Sequence, residues 1–294
     1  MEKIITLLMP LIAFIIGGFF IGYGRKFTAR IQNRYGPPIE QFFYDVGKTL
    51  SKVRNISHGA MFDVSVMMAA TGAMVSLYFV PIFNLKMFSF QGDTLVLMYL
   101  LVIGPLGMAL GAGEAANPNA SIGISRALTA MVGYEVPFVI ALIAVMHLSK
   151  STNLFVITTS QSGWLHWNMI QLPLAFIATM VALQGKLNEK PFELIIAPHE
   201  IATGPLVEFG GKYLGFLQIN HALHLFLELA IIVDLFLGGG GFFVFLLKML
   251  AVFTVVLIIN AIYPRYKTEE AINFWMGIPT ILAIISLVIL VYVR

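Results

Sequence analysis

Residues 214–237 read LGFLQINHALHLFLELAIIVDLFL. This mostly apolar stretch is long enough to cross the roughly 30 Å hydrocarbon core of a bilayer as one α-helix. Its histidines and acids are unusual in such a helix, because a charged side chain at bilayer depth is costly and usually faces the protein interior or a wet cavity. The stretch therefore predicts a membrane helix that carries a polar function.

The composition of the whole chain agrees with a membrane protein. Its 294 residues are 59% hydrophobic and 11% charged, whereas soluble domains have about 45–50% apolar and about 25% charged residues. The chain also has no cysteine. Thiolate-bound iron–sulfur clusters, disulfides and thiol nucleophiles are therefore excluded from it, and any redox metal centre is expected in another subunit.

Outward from residues 214–237, apolar runs of membrane-spanning length recur along the chain. The sequence predicts an all-α, polytopic integral membrane protein with about eight transmembrane helices in a single membrane domain, residues 1–294. The first run meets no small-residue cleavage site, so it is expected to remain as a helix. The predicted spans are residues 4–23, 61–83, 94–113, 122–148, 164–184, 214–237, 242–263 and 272–293.

The basic residues predict how these helices are oriented. With the amino terminus outside, the segments on the cytoplasmic side contain most of the 18 Lys and Arg residues. The positive-inside rule therefore predicts a multi-pass protein of the cell membrane with both termini outside. This bias also accounts for the pI near 9.0, and no nucleic-acid-binding motif accompanies it.

The first of two long cytoplasmic loops covers residues 24–59. Basic residues begin it, and a Gly-Pro-Pro break follows at residues 36–38. From Ile39 to Leu50, apolar residues recur at helical spacing, which predicts an amphipathic helix at the membrane surface. Loops of this length are usually functional rather than simple connections.

The second long loop, residues 185–215, is acidic. Glu189, Glu193, Glu200 and Glu208 are interleaved there with apolar residues that would resist exposure to water. We therefore expect these glutamates to be half buried near the membrane interface, as a candidate coupling loop.

Acids also lie inside the predicted helices. Glu135 and Glu228 fall near the middle of the fourth and sixth spans, and Asp63 and Glu114 fall toward the cytoplasmic ends of the second and third. Carboxyl groups joined by water carry protons through apolar protein, so these acids are predicted to form a proton or ion path. The alternative is that each acid pairs with a Lys or Arg to hold the assembly together.

The sixth span also carries two histidines and a second acid, Asp234. His221 and His224 share one helical stripe with Glu228 and are expected to extend its polar face. Asp234 and Lys248 are expected to form a structural ion pair across the turn after this helix. No metal site is predicted, because the two histidines lack a third and fourth ligand.

Two motifs resemble a known family. RIQNRYGPP at residues 30–38 and KPFELIIAPHEIATGPLVEFGG at residues 190–211 are similar to loops of the subunit 1 (H subunit) family of respiratory complex I. In that family the two loops form the wall of a chamber, quinone-binding in true complex I, where the redox arm meets the membrane arm. The resemblance places Arg34, Pro37 and His199 at this chamber and interface, with Glu193, Glu200 and Glu208 as its acids.

The acidic loop also departs from the complex I pattern. Ile196 and Pro198 stand where that pattern has acids, and Gly204-Pro205 replaces glycine followed by an aromatic residue. The loop is more similar to the corresponding subunit of energy-converting, membrane-bound [NiFe] hydrogenases and their sulfur-reducing relatives, which pass electrons to protons or sulfur species.

The resemblance implies a non-catalytic, membrane-anchoring and ion-coupling subunit that links a docked redox arm to H⁺ or Na⁺ translocation. It implies no cofactor in this chain, iron–sulfur clusters and a [NiFe] centre in hydrogenase-like cytoplasmic large and small subunits, and antiporter-like membrane subunits alongside. The alternatives are a quinone-site subunit of a complex I-like NADH or ferredoxin dehydrogenase, a stand-alone secondary ion transporter and a purely structural anchor. The terminal electron acceptor stays open.

Overall fold

The structure of the protein, a computed structural model, describes residues 2–53, 59–86, 88–115 and 117–293. All regular elements in these ranges are helical, which confirms the all-α class. Single 3₁₀ turns lie in three connections, at Ile82–Asn84, Trp164–His166 and Gly204–Leu206. The α-helices are α1 (Glu2–Leu7), α2 (Met9–Ile31), α3 (Gln41–Leu50), α4 (Ala60–Leu77), α5 (Asp93–Glu114), α6 (Pro118–Ser149), α7 (Leu154–Ser160), α8 (Asn168–Gln171), α9 (Pro173–Lys186), α10 (Pro198–Ile201), α11 (Lys212–Phe236), α12 (Phe242–Ile262), α13 (Thr268–Met276) and α14 (Ile278–Val293).

Seven helical segments in the described part of the chain are long and apolar enough to cross a membrane. They are α2, α4, α5, α6, α11, α12 and the segment formed by α13 and α14. The polytopic membrane architecture is therefore confirmed. The predicted span at residues 164–184 differs, because the chain there forms a 3₁₀ turn, the short α8 and then α9.

The length of α9 explains this difference. The helix has 14 residues and is about 21 Å long, less than the hydrocarbon core of about 30 Å. Pro173 occupies its first position, where the missing N–H of proline costs no hydrogen bond. After Lys186 the chain leaves the helix but stays inside the protein, since Leu187, Phe192 and Leu194 are all buried. The start of the acidic loop is therefore part of the core.

Helix α11 is the central helix of the bundle. In its most apolar stretch of 18 residues, 72% of the residues are buried, whereas the corresponding share is at most 50% in the other spans. It packs against α2, α3, α4, α9 and α12, among others. Gly17 of α2 allows one of these contacts, because a Cβ there would lie 2.2 Å from the carbonyl oxygen of Ala222. The ionisable side chains in the buried part of α11 consequently face protein rather than lipid.

The amphipathic helix predicted in the first loop is α3. Phe42 and Val46 on its apolar face are buried, and the helix packs on α2 and α11. On its polar face, a hydrogen bond from Gln41, followed by a hydrogen bond and ion pair with Arg25, lowers the pKa of Asp45. Residues 54–58 at the end of this loop lie outside the described residues.

Candidate functional site

One buried cation joins three helices. Lys186, the last residue of α9, places its Nζ 2.5 Å from Oε1 of Glu135 on α6. The same Nζ lies 3.5 Å from Oε1 of Glu228 on α11. The Lys186 side chain is 3% exposed, Glu228 is fully buried and Glu135 is 22% exposed. The two acids predicted near the membrane midplane thus meet at one ammonium group, and we call these three residues the Lys186 cluster.

Aromatic rings complete the surroundings of the Lys186 ammonium. Its Nζ lies 4.5 Å from the ring centroid of Phe138 and 5.4 Å from that of Tyr134. The face of an aromatic ring attracts a cation, and more strongly where water is excluded. The site therefore stabilises a charged lysine at this depth.

The Lys186 cluster contains one more acid than it has cations. Neither carboxylate oxygen of Glu228 accepts a hydrogen bond from the described residues, although an ionised carboxylate can accept about four. One ammonium balances one carboxylate, and a second buried negative charge would be costly. The cluster is electrically neutral when one carboxyl group carries a proton, so the arrangement is suited to store and pass on a proton.

The histidine stripe predicted on α11 contributes one residue to this cluster. His224 Nε2 lies 3.8 Å from Oε1 of Glu228, one helical turn away. This distance is too long for a direct hydrogen bond, but one intervening group or a small shift would connect the two side chains. His221 is exposed and shares no ion pair with Glu228 within 4 Å in the described structure.

The beginning of the acidic loop follows directly after Lys186. Burial, and then the nearby carboxylate of Glu193, raises the pKa of Glu189 to about 7. The loop backbone is held here by Asn188, whose Oδ1 accepts from the backbone N–H groups of Leu194 and Ile195 at 3.1 and 3.2 Å. Glu189 therefore exchanges its proton near neutral pH, three residues from the cluster. From the sequence, Glu189 counts among the loop acids but is not assigned to the ion path, because nothing in the sequence separates it from the other loop glutamates.

Glu200 has a different environment. Its Oε2 accepts from Nη1 of Arg126 at 2.6 Å, and its Oε1 lies 3.3 Å from Nη2 of Arg265. The hydrogen bond from Arg126 is the main cause that lowers the pKa of Glu200, so this carboxylate stays ionised. We call these three residues the Glu200 network. They line a cavity of about 380 Å³ and tie the acidic loop to α6 and to the connection before α13.

The remaining predicted acids connect helix ends. Glu208 accepts from Nδ2 of Asn117 at 2.6 Å, just before α6. Glu114 accepts from the backbone N–H of Phe62 at 2.6 Å, which suits the positive end of the α4 dipole. The hydroxyl of Tyr213 donates to Asp63. Asp63 and Glu114 are exposed near the ends of their helices, and their place in an ion path stays a prediction.

Arg34, predicted to line the chamber, forms no ion pair with the acidic loop among the described residues. Arg34 is exposed in the turn after α2, and its backbone N–H donates to the carbonyl of Ala29 at 2.7 Å. Its guanidinium makes no ion pair with Glu193, Glu200 or Glu208 among the described residues. Pro37 is partly exposed in the same turn. The side chain of His199 lies outside the described residues, and the chamber stays a prediction.

Asp234 and Lys248 do not form a direct ion pair within 4 Å in the described structure, and neither carboxylate oxygen of Asp234 accepts a hydrogen bond there. Lys248 Nζ donates instead to the carbonyl oxygens of Leu237 and Gly239, at 2.5 and 2.7 Å. It also lies 4.6 Å from the ring centroid of Trp167. The physical reason is that free carbonyl groups at the negative end of α11 attract the ammonium.

Lys186 is the main residue that sequence reasoning missed. Its position in the apparent loop after a predicted 21-residue span suggested a cytoplasmic cation. The available signal was Pro173, since a helix that begins at this proline is only about 21 Å long when it reaches Lys186, less than the thickness of the hydrocarbon core. The tertiary contacts then show which acids it meets.

Comparisons with known proteins match almost the whole chain. The profile of the family described as NADH dehydrogenase matches residues 3–291. The H subunit of NADH-quinone oxidoreductase from Geobacillus thermodenitrificans (strain NG80-2) is 29% identical over 292 residues, which cover 92% of this chain and 87% of that protein. The same subunit of the enzyme from Helicobacter pylori (strain Shi470) is 28% identical over 325 residues, covering 98% and 96%.

One solved structure is also similar over its full length. It is described as the membrane-bound sulfane sulfur reductase (MBS), an archaeal respiratory membrane complex. One of its chains superposes on this protein with a TM-score of 0.93 and 36% sequence identity, covering 98% of this chain and 99% of that one.

Proposed function

The chain belongs to the NADH dehydrogenase family, and we propose that it is a membrane-anchoring, ion-coupling subunit of a multisubunit respiratory oxidoreductase. The support is the match over nearly the whole chain to the H subunits of NADH-quinone oxidoreductases and to a chain of a respiratory membrane complex. Hydrogenase-like large and small subunits with iron–sulfur clusters are the proposed cytoplasmic partners. Antiporter-like subunits are the proposed membrane neighbours.

The proposed orientation places both termini outside and the acidic loop in the cytoplasm, with α8 and α9 together completing an eighth crossing. The excess of Lys and Arg in the segments between alternate spans supports this arrangement. The basic and acidic groups of the first loop and of the Glu200 network then lie on one face, where a redox arm can dock. The α3 helix, packed on α2 and α11, connects this face to the central helix.

The observation that carries the proposal is the shared ammonium of Lys186 between Glu135 and Glu228. Lys186 ends α9 and is joined directly to the acidic loop, so a loop shift moves its ammonium. If Nζ moves toward Glu228, Glu135 loses its counter-ion and takes up a proton; movement back releases it. This lysine position is a two-state element that the docked arm and the proton path can both bias.

For the redox partner we propose the hydrogenase and sulfur-reductase branch of the family. Two observations support it: the full-length match to the sulfane sulfur reductase structure, and Ile196 and Pro198 in place of loop acids. An apolar cavity of about 850 Å³ lies between α9, α12 and α13. Arg34 and the loop glutamates do not line it, so this cavity does not correspond to the chamber of the quinone alternative.

An acceptor assay on the intact detergent-solubilised complex tests the branch. Hydrogen evolution, polysulfide reduction and quinone reduction are measured side by side, with a quinone-site inhibitor as control. We expect turnover with protons or polysulfide and none with quinone. Inhibitor-sensitive quinone reduction would instead make the chain a quinone-site subunit.

The ion-coupling role is tested with Glu228→Gln in complex reconstituted into liposomes. The amide keeps the size of the side chain but cannot take up or release a proton. We expect electron transfer to continue while ions translocated per electron fall severalfold. Glu40→Gln, an exposed acid at the start of α3, is the matched control and keeps the wild-type ratio. An unchanged ratio in Glu228→Gln would refute the proposed path.

A further inference from the structure

The second buried acid of α11, Asp234, lies apart from the Lys186 cluster. It is fully buried, and neither carboxylate oxygen accepts a hydrogen bond from the described residues. Glu228 precedes it by six residues, about 9 Å along the helix axis and about 120° around it. An acid without hydrogen-bond donors is costly to hold ionised in the interior. The carboxyl group of Asp234 therefore does not hold a neighbouring element through a hydrogen bond from the described residues.

Asp93 shows what a structural acid looks like in the same half of the molecule. It is also buried, with 1% of its surface exposed. Its Oδ1 accepts from the backbone N–H of Leu154 at 2.8 Å and from Thr94 Oγ1 at 3.3 Å. These contacts join the start of α5 to the start of α7. The two aspartates are equally buried, but only Asp93 uses its carboxylate to hold the fold.

Polar side chains near Asp234 bond its backbone rather than its carboxyl group. Gln161 Nε2 donates to the backbone carbonyl oxygens of Asp234 and Leu235, at 2.8 and 3.2 Å. Asn168 Nδ2 donates to the carbonyl of Leu235 at 2.7 Å. The end of α11 is thus fully anchored, while the carboxyl group remains available.

The four-glycine turn, residues 238–241, forms a thin cover over this acid. Gly239 has φ of +55°, and a Cβ there would lie 3.0 Å from Oδ1 of Asp234. Gly238 and Gly240 are partly exposed, and Gly241 is exposed. The turn therefore places backbone without side chains of its own next to the acid, and Thr158 of α7 packs against the buried Gly239. A small opening of this turn would admit water to the carboxyl group.

Lys248 determines which ion this place can hold. Its ammonium donates hydrogen bonds to the carbonyl oxygens of Leu237 and Gly239. These are the kind of oxygen ligand that a hard metal cation requires. A sodium ion beside it would be repelled by the ammonium at low dielectric. A proton bound covalently to the carboxyl group avoids this cost, and the ammonium balances the carboxylate once the proton leaves.

We propose that Asp234 is a proton-exchange site between Glu228 and the outer surface, beneath the glycine turn and with Lys248 as its fixed counter-charge. The inference rests on the proposed function, in which this chain carries protons. The O–H bond of Asp234 breaks as its proton passes to water at the turn, and a proton arriving along water from the direction of Glu228 restores it. Asp234, at the outer end of α11, is then a proton-exchange site in addition to the Lys186 cluster.

Infrared spectroscopy tests this site directly. Purified complex in liposomes is transferred from H₂O to D₂O, and the carbonyl stretch of protonated carboxylic acids is compared between wild type and Asp234→Asn. We expect an Asp234 band that is lost in the variant and shifts rapidly in D₂O. A band that does not shift would show a sealed structural acid, and no difference between the spectra would show an ionised Asp234; either result overturns the inference.

Proton release during turnover gives a second readout, with the acceptor found in the acceptor assay. We expect Asp234→Asn to lower proton release to the outer side by about tenfold or more, while the matched Asp93→Asn does not. If Glu228→Gln loses coupling but Asp234→Asn does not, the inference fails and the proposed function stands. If neither variant loses coupling, the proposed function itself fails.

Discussion

The Glu200 network and the Lys186 cluster each join three charged groups. Cations are in excess at the first, and carboxyl groups are in excess at the second. At the Glu200 network, two arginines surround one carboxylate that is 48% exposed. At the Lys186 cluster, two acids share one lysine that is 3% exposed. Water and salt screen the excess charge at the surface, whereas the interior has no such screening. The same ion-pair chemistry therefore anchors a loop at the surface and stores a proton in the core.

The largest effect is expected from Lys186→Met. Removal of one partner from a buried ion pair typically costs about 3–5 kcal/mol, because the remaining charges are left uncompensated. We expect both acids to become protonated, coupling to be lost and the thermal unfolding temperature of the complex to fall. Lys186→Arg keeps the charge and should retain most of the stability. Wild-type coupling in Lys186→Met would show that the cluster is not the ion path.

A second variant sharpens the comparison by restoring charge balance. Lys186→Met with Glu228→Gln removes one cation and the fully buried acid together. Since the uncompensated charge is what destabilises the single variant, the double variant should recover a large part of the lost stability without recovering coupling. Thermal unfolding of the four members of this double-mutant cycle measures the effect. Additive losses would contradict the direct interaction between the two side chains.

An intermediate effect is expected at Glu189. Its pKa is raised to about 7 in the folded protein, so it binds a proton more tightly folded than unfolded. Its contribution to stability is therefore present below the unfolded pKa and is lost as pH rises through about 7. Glu189→Gln should flatten the fall in unfolding temperature between about pH 5 and pH 8. An unchanged slope would mean that another group titrates there.

The smallest effect is expected at the Glu200 network. Exposed ion pairs contribute about 0–1 kcal/mol, so Glu200→Gln should change the unfolding temperature little. Because Arg126 lowers the pKa of Glu200, the contribution is present above the unfolded pKa and is lost as pH falls below about 4. Limited proteolysis of the acidic loop at acid pH and at high salt measures it. A loss of stability as large as that of Lys186→Met would remove the contrast between the two regions.

Much of the fold could be predicted because its signals are local. The apolar runs predicted the long spans, and the spacing of Phe42 and Val46 predicted α3. The short α9 was not predicted, since hydropathy alone continues through Pro173 and does not record where a helix starts. The site was predicted in part: Glu135 and Glu228 stand out as acids in apolar helices. Lys186 does not, because a lysine after an apolar run usually marks the membrane surface.

The sequence by itself determined that this chain lies in a membrane as an all-helical bundle, because the transfer of each residue to lipid depends mainly on its own side chain and its near neighbours. It also determined which buried residues are acids. Only the tertiary structure decided their partners: Lys186 for Glu135 and Glu228, and none in the described residues for the carboxylate of Asp234. Pairing inside the bundle depends on side chains from helices far apart in the chain, over distances of a few ångströms that no sequence pattern specifies.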